Sequence, residues 1–216
     1  MRAAVLALLV ALAGCTPPPP SGPASPLVST ERFAARTWTF DGDTAGAPPS
    51  GTTVHTGAWA VRAENGTPTP PNALCQTGSA DFPAITLSVE SHRDMKVTAM
   101  VKPISGSQDR AAGVLLRLRD AKNYYIVRAN ALEGSVVIFK YVNGSRSEIK
   151  SGAVTVPAGE WHQLRGEVAG ATLRGYWDGR LIVEATDQTF AEGGVGLWMK
   201  ADSTTCFDDV ELGPVG

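Results

Sequence analysis

The sequence predicts an all-β chain folded as a two-sheet antiparallel sandwich. Three observations carry that expectation. After the first fifteen residues no stretch shows the 3.6-residue apolar period of an amphipathic helix. Short runs rich in Val, Ile, Tyr, Phe and Trp recur instead, separated by Gly, Asn, Asp and Pro. Three connections, "ALEG", "VNGS" and "WDGR", place Gly where a positive φ costs least, and Asn-Gly and Asp-Gly are strong hairpin signals.

Taken in chain order, the first element is not part of the sandwich. "MRAAVLALLVALAGC" has a lone Arg2, an apolar run of about eleven residues and small residues before Cys15. That pattern is an export signal over residues 1–14, too short and wrongly flanked for a membrane-spanning helix. Leu12-Ala13-Gly14-Cys15 resembles the lipobox of bacterial lipoproteins, which implies cleavage before Cys15 and lipidation of its sulfur; the alternative is an ordinary signal peptide cleaved nearby. Acyl chains at Cys15 would hold the chain to a membrane on the extracytoplasmic side of the cell envelope, without spanning it. "TPPPPSGPASP" then reads as a semi-rigid tether within residues 15–30, because Pro, Gly and Ser cannot bury apolar surface.

Residues 31–216 form one expected domain. Roughly 185 residues are enough to bury about 70% of the unfolded surface, and no second linker divides them. A formal net charge of −2 and the lack of like-charge runs give no bias towards nucleic acid, and a monomer is expected. After Cys15 only Cys75 and Cys206 remain. In an exported chain they are candidates for one disulfide, closing a loop of about 130 residues and stabilising by near 5 kcal/mol in the chain-entropy model. Two separate buried thiols are the other possibility.

The strand runs sort their side chains by alternation. In "GVLLRLR" Val114, Leu116 and Leu118 share one face, and Leu115, Arg117 and Arg119 the other. Joined through "DAKN" to "YYIVRAN", this gives one face carrying Arg117, Arg119, Tyr124, Arg128 and Asn130. "WHQLRGEV" has His162, Leu164 and Val168 on its apolar side and Arg165 opposite; "GVGLWMK" has Val195, Leu197 and Met199 inside, leaving Trp198 and Lys200. A one-residue slip would invert any strand, so the set carries more than each member.

From Trp161-His162 through Leu173 to the Tyr176-Trp177-Asp178-Gly179 turn, the chain resembles the laminin-G-like, concanavalin A-like jelly roll. "DRAAGVLLRLRDAKNYYIVRANALEGSVVIFK" and "GGVGLWMKADSTTCFDDVEL" resemble the branch grouped with 3-keto-disaccharide hydrolase domains (DUF1080-like). The resemblance implies a concave sheet face that holds a glycan. Arg117, Tyr124, Arg128, Asn130, Arg165, Trp198 and Lys200 are then the candidate ligand-binding residues. Tyr124 or Trp198 offers a ring to a sugar face, and the arginines suit hydroxyls, uronates or sulfates. Each has a plainer reading: Trp198 as packing, Arg117 and Arg128 as partners of acids across the sheet. The superfamily also implies a structural calcium ion joining the first and last strands, for which "TFDGDT" and "CFDDVEL" supply Asp41 and Asp209; turn-forming acids are the alternative.

Catalytic residues are not identified. A retaining glucanase carries a Glu-x-Asp-x-x-Glu strand with carboxylates about 5 Å apart, and no such run occurs. Asp208 and Asp209 are adjacent and are expected to point to opposite faces. The expected function is a membrane-anchored carbohydrate-binding module, with a hydrolase or lyase of 3-keto-glycosides as the alternative.

Overall fold

The computed structural model describes residues 32–215; the expected export signal, Cys15 and the expected tether lie outside the described residues. Fifteen strands and no helix make up that part. They are β1 (Arg36–Trp38), β2 (Thr53–Thr56), β3 (Trp59–Ala63), β4 (Asn72–Gln76), β5 (Ala84–His92), β6 (Met95–Ser105), β7 (Ala111–Asp120) and β8 (Asn123–Asn130). The chain continues with β9 (Ser135–Val142), β10 (Ser145–Ala153), β11 (His162–Ala169), β12 (Thr172–Trp177), β13 (Arg180–Thr186), β14 (Gly193–Trp198) and β15 (Thr204–Gly213). The first sheet runs β13-β12-β11-β6-β15-β4-β3, with β1 added against β15; the second runs β10-β9-β8-β7-β14-β5-β2. This is the two-sheet antiparallel sandwich that the recurring strand runs predict, in the jelly-roll form that the resemblance implies.

The main core lies between the sheets. Val97, Val101, Leu164 and Leu173 of the first sheet meet Val114, Leu116, Val127, Ile138 and Leu197 of the second, all fully buried. Gly166 and Gly175, paired in register on β11 and β12, let the sheets approach. A Cβ on Gly166 would lie 3.0 Å from methyls of Val114 and Val127, and one on Gly175 3.0 Å from methyls of Val127 and Val136. Each apolar side chain so buried stabilises by about 1.5–3 kcal/mol. Cys75 and Cys206 form the expected disulfide between register partners on β4 and β15.

Alternation fails in β7. Arg117 has φ 48°, and the β7–β8 register shifts between Leu116 and Asp120. This bulge adds a residue and reverses the phase, so Leu118 joins Leu115 in a cluster on the outer face. Arg117 is turned off that face. Its guanidinium donates to the carbonyls of Arg93 (2.8 Å), Phe190 (2.7 Å) and Gly170 (2.8 Å). Gly170 belongs to the β11–β12 turn of the opposite sheet, so Arg117 ties the two sheets at one end of the sandwich. Its expected place beside Arg128 is corrected accordingly.

Candidate functional site

The outer face of the second sheet carries a second cluster of buried residues: Leu115, Tyr124, Ile126, Val137, Phe139 and Trp198. Trp198 on β14, Gly113 on β7 and Arg128 on β8 stand in one register row. A Cβ on Gly113 would lie 3.3 Å from the indole Cε3, so glycine there gives the ring its bed. The face is thus the one alternation assigns to Tyr124, Arg128, Asn130 and Trp198, but it is not a bare, solvated surface. Trp198 and Asn130 are 0% exposed, and Tyr124 and Arg128 1%. Phe82, from the segment before β5, stacks on Trp198 at 5.7 Å, and Tyr141 of β9 stacks on Tyr124 at 4.9 Å. The indole N–H lies close enough to influence the Tyr124 hydroxyl, yet outside hydrogen-bond geometry. Burial, then the neighbouring Tyr141, pushes ionisation of Tyr124 well above the usual phenol range.

At one end of this cluster is a polar centre built on Asp109, which is 2% exposed. Its Oδ1 accepts from Asn130 Nδ2 at 2.5 Å and lies 3.7 Å from Arg128 Nη1; its Oδ2 takes Lys200 Nζ at 2.6 Å. Arg128 is gripped from the other side by Glu133, whose two carboxylate oxygens accept from Nη1 (3.2 Å) and Nη2. Hydrogen bonds from Arg128, working against burial, hold Glu133 below the usual carboxylate range. Asn130 Oδ1 in turn accepts from the backbone N–H of Leu132 (2.9 Å) and Glu133 (3.4 Å), fixing the turn that presents Glu133. Asp202, after β14, accepts from the backbone of Ser107 (2.7 Å), Gln108 (3.0 Å) and Asp109 (3.1 Å), locking the loop that presents Asp109. These bonds hold Asp202 well below the usual range.

Arg146 of β10 completes the face. Its guanidinium sits over Phe139 (4.6 Å), Phe82 (5.1 Å) and Trp198 (5.5 Å). Its Nη1 is buried with no hydrogen-bond partner among the described residues. Burial first, and then the positive charge of Arg128, pulls its pKa below the usual arginine value. Arg128 Nε is likewise without a partner.

The structure therefore brings together Tyr124, Arg128, Asn130, Trp198 and Lys200, and leaves out Arg117 and Arg165. Arg165 is on β11 of the other sheet, where it stacks on Tyr176 at 3.7 Å and pairs with Glu167 at 3.3 Å. Alternation gives the side of a strand and not its sheet, so Arg165 has no place in this site. Phe82, Asp109, Glu133, Phe139, Tyr141 and Arg146 are the members that sequence reasoning missed. Phe139 and Tyr141 were legible in "SVVIFKYV", where they are out of phase with Val136 and Ile138. Phe82, Asp109 and Glu133 come from loops, whose folding over a sheet has no periodic signal.

The two candidate calcium ligands brace the segment between β3 and β4. Asp41 Oδ1 accepts from the backbone N–H of Asn72 at 3.1 Å, and Asp209 Oδ1 from the Thr69 hydroxyl at 2.9 Å. Asp208 does not point away from Asp209 as adjacency on a regular strand requires. Asp209 has φ 44°, and both carboxylates converge on Thr69. Burial, reinforced by Asp209, pushes Asp208 up to about 6. A hard cation at Asp209 would relieve this repulsion.

No family model matches the chain. A levanase from Bacillus subtilis (strain 168) is 28% identical over 164 residues, covering 74% of this chain but only 22% of the levanase. The carbohydrate-binding module CBM66 from Bacillus subtilis superposes with a TM-score of 0.63 and 28% identity, over 74% of this chain and 94% of the module. A Bacillus licheniformis β-glucanase shares the fold, with a TM-score of 0.58 and 13% identity over 85% of this chain and 99% of the enzyme. The described domain is thus a jelly roll similar to a carbohydrate-binding module, and spans about a fifth of the levanase it resembles.

Proposed function

We propose that this chain is a carbohydrate-binding module whose ligand seats on the outer face of the second sheet, against Phe82, Arg146, Glu133 and Lys200. The observation that carries the reading is Arg146, a planar donor without a partner laid over three aromatic rings beside a polar centre of fixed geometry. Sugars need that pairing of ring surface with rigid donors and acceptors. The 28% identity to the CBM66 module supports it. Buried Trp198, Tyr124 and Arg128 serve as the floor rather than as contact groups, and half-exposed Phe82 is the accessible ring. The levanase name makes levan the first ligand to try, with a glycan array beside it. Saturable binding that Phe82→Ala weakens supports the reading. No binding to any glycan, or turnover of 3-keto-glycosides by the purified protein, overturns it.

The same proposal places the domain on the extracytoplasmic side of a membrane as a monomer, anchored through lipid on Cys15 and spaced from the surface by the Pro-rich tether. The export-signal pattern and Leu12-Ala13-Gly14-Cys15 support this. Cys15→Ser should leave a folded protein that no longer pellets with membranes; its retention after a high-salt wash would count against the anchor. Calcium, held by Asp209 and Asp41, is proposed as a structural brace with no part in ligand binding.

A further inference from the structure

The charges on the face do not cancel. Lys200 is matched by Asp109 at 2.6 Å, and Arg128 by the two oxygens of Glu133. Each of these acids is committed. Arg146 is left over: Asp109, Glu133 and Glu148 act on it only through space, and its buried Nη1 donates to nothing among the described residues. Stacking on Phe139, Phe82 and Trp198 holds the guanidinium plane in place without using its in-plane donors. A surface arginine with no task would turn its head into water and away from Arg128. This one is kept half-buried next to a like charge.

We infer that the ligand carries an oxyanion, a carboxylate or sulfate on its sugar, and that Arg146 is the group that reads it. The inference rests on the carbohydrate reading above and sharpens it. A planar fork with unspent donors matches two oxygens of a carboxylate or sulfate, whereas a single hydroxyl answers only one donor. The rings beneath exclude water from one side of the contact and strengthen it. An incoming anion also relieves the repulsion between Arg146 and Arg128, which a neutral sugar leaves in place.

The test is calorimetric titration of the purified protein with hexuronate-terminated oligosaccharides (galacturonate, glucuronate and mannuronate ends), their carboxyl-reduced counterparts, sulfated galactan oligosaccharides and levan oligosaccharides. At least one acidic probe should bind about tenfold more tightly than its neutral counterpart, the difference between charge-assisted and neutral hydrogen bonds. That ratio should shrink with added salt and collapse to about one in Arg146→Gln. Arg146→Lys, which keeps the charge and loses the fork, should fall between. The uronate and sulfate arms tell which oxyanion is read. Equal affinity for every acidic probe and its neutral counterpart, or a ratio that survives Arg146→Gln, overturns the oxyanion inference while leaving a neutral-sugar module standing. No binding to any probe overturns the carbohydrate reading as well. Should Arg146→Gln fail to fold, the wild-type ratio and its salt dependence decide alone.

Discussion

Trp198→Ala separates a floor from a platform. The indole is completely buried, bedded on Gly113, stacked under Phe82 and capped by Arg146. A tryptophan buries about 200 Å² of surface, which at about 25 cal/mol per Å² is near 5 kcal/mol. Phe82 and Arg146 are only half-buried and can settle into part of the gap, so a loss of about 3–4 kcal/mol is expected, within the usual range for large core truncations. For a domain of this size that is a fall in Tm of about 10 °C. Thermal melting followed by circular dichroism, with a urea titration to check that the m-value is unchanged, measures it. Phe82→Ala is the companion: it removes a ring that is already partly in water, so it should cost about 1 kcal/mol of stability and more of ligand affinity. A Trp198→Ala protein that melts within about 2 °C of wild type but no longer binds sugar would show the indole to be an open stacking platform, and would refute the covered face described above.

Three further outcomes follow from individual contacts. Arg117→Met should destabilise by about 3–5 kcal/mol in chemical denaturation, because three carbonyls and Asp94 lose a buried cation, with ligand affinity of the folded fraction unchanged. Asp202→Ala should weaken binding more than it lowers Tm, since it frees the loop that aims Asp109 at Lys200; undiminished affinity in titration would remove Asp202 as a positioning residue. Asp208, held at about 6, binds its proton more tightly folded than unfolded, so it lowers stability as pH rises from about 4 to about 6 and not beyond. Asp208→Asn should therefore gain about 2 kcal/mol on wild type between pH 4 and pH 7 in chelator, and calcium should erase that gain by neutralising the carboxylate pair in wild type. A flat difference profile would refute the raised ionisation, and a profile indifferent to calcium the proposed brace.

What the sequence conveyed, and what it withheld, follows from the range of the forces involved. Strand identity was legible because a sheet with one buried side imposes a two-residue period on its own residues, as in Met95, Val97, Ala99 and Val101 of β6. The disulfide was legible because the two cysteines after Cys15 allow only one pairing. Arg117 was misplaced by a single left-handed residue, a local event that any short run of alternation averages away. Arg165 was misplaced because which sheet a strand joins depends on its partners, here β6 and β12, and not on its own pattern. Whether Trp198 packs or faces a ligand was left open for a third reason: Phe82 arrives from outside the strand ladder, on a segment with no period at all.

These differences bear on the kind of binding surface proposed for the domain. Had the face been solvated, its arginines would lose rotamer freedom on meeting a ligand, at roughly 2 kcal/mol for each long side chain fixed. Here that ordering is complete before any ligand arrives. Arg128 is clamped between Asp109 and Glu133, Lys200 is drawn to Asp109, and Arg146 is stacked on three rings. The acids that do the clamping are held through their own backbone N–H groups, Asp109 donating to the Asp202 carboxylate and Glu133 to Asn130 Oδ1. The fixed set consequently discriminates by geometry: a ligand that matches Arg146 gains the contact without an ordering cost, and one that does not must disturb the ion pairs of Arg128 and Lys200 and an aromatic stack to be accommodated.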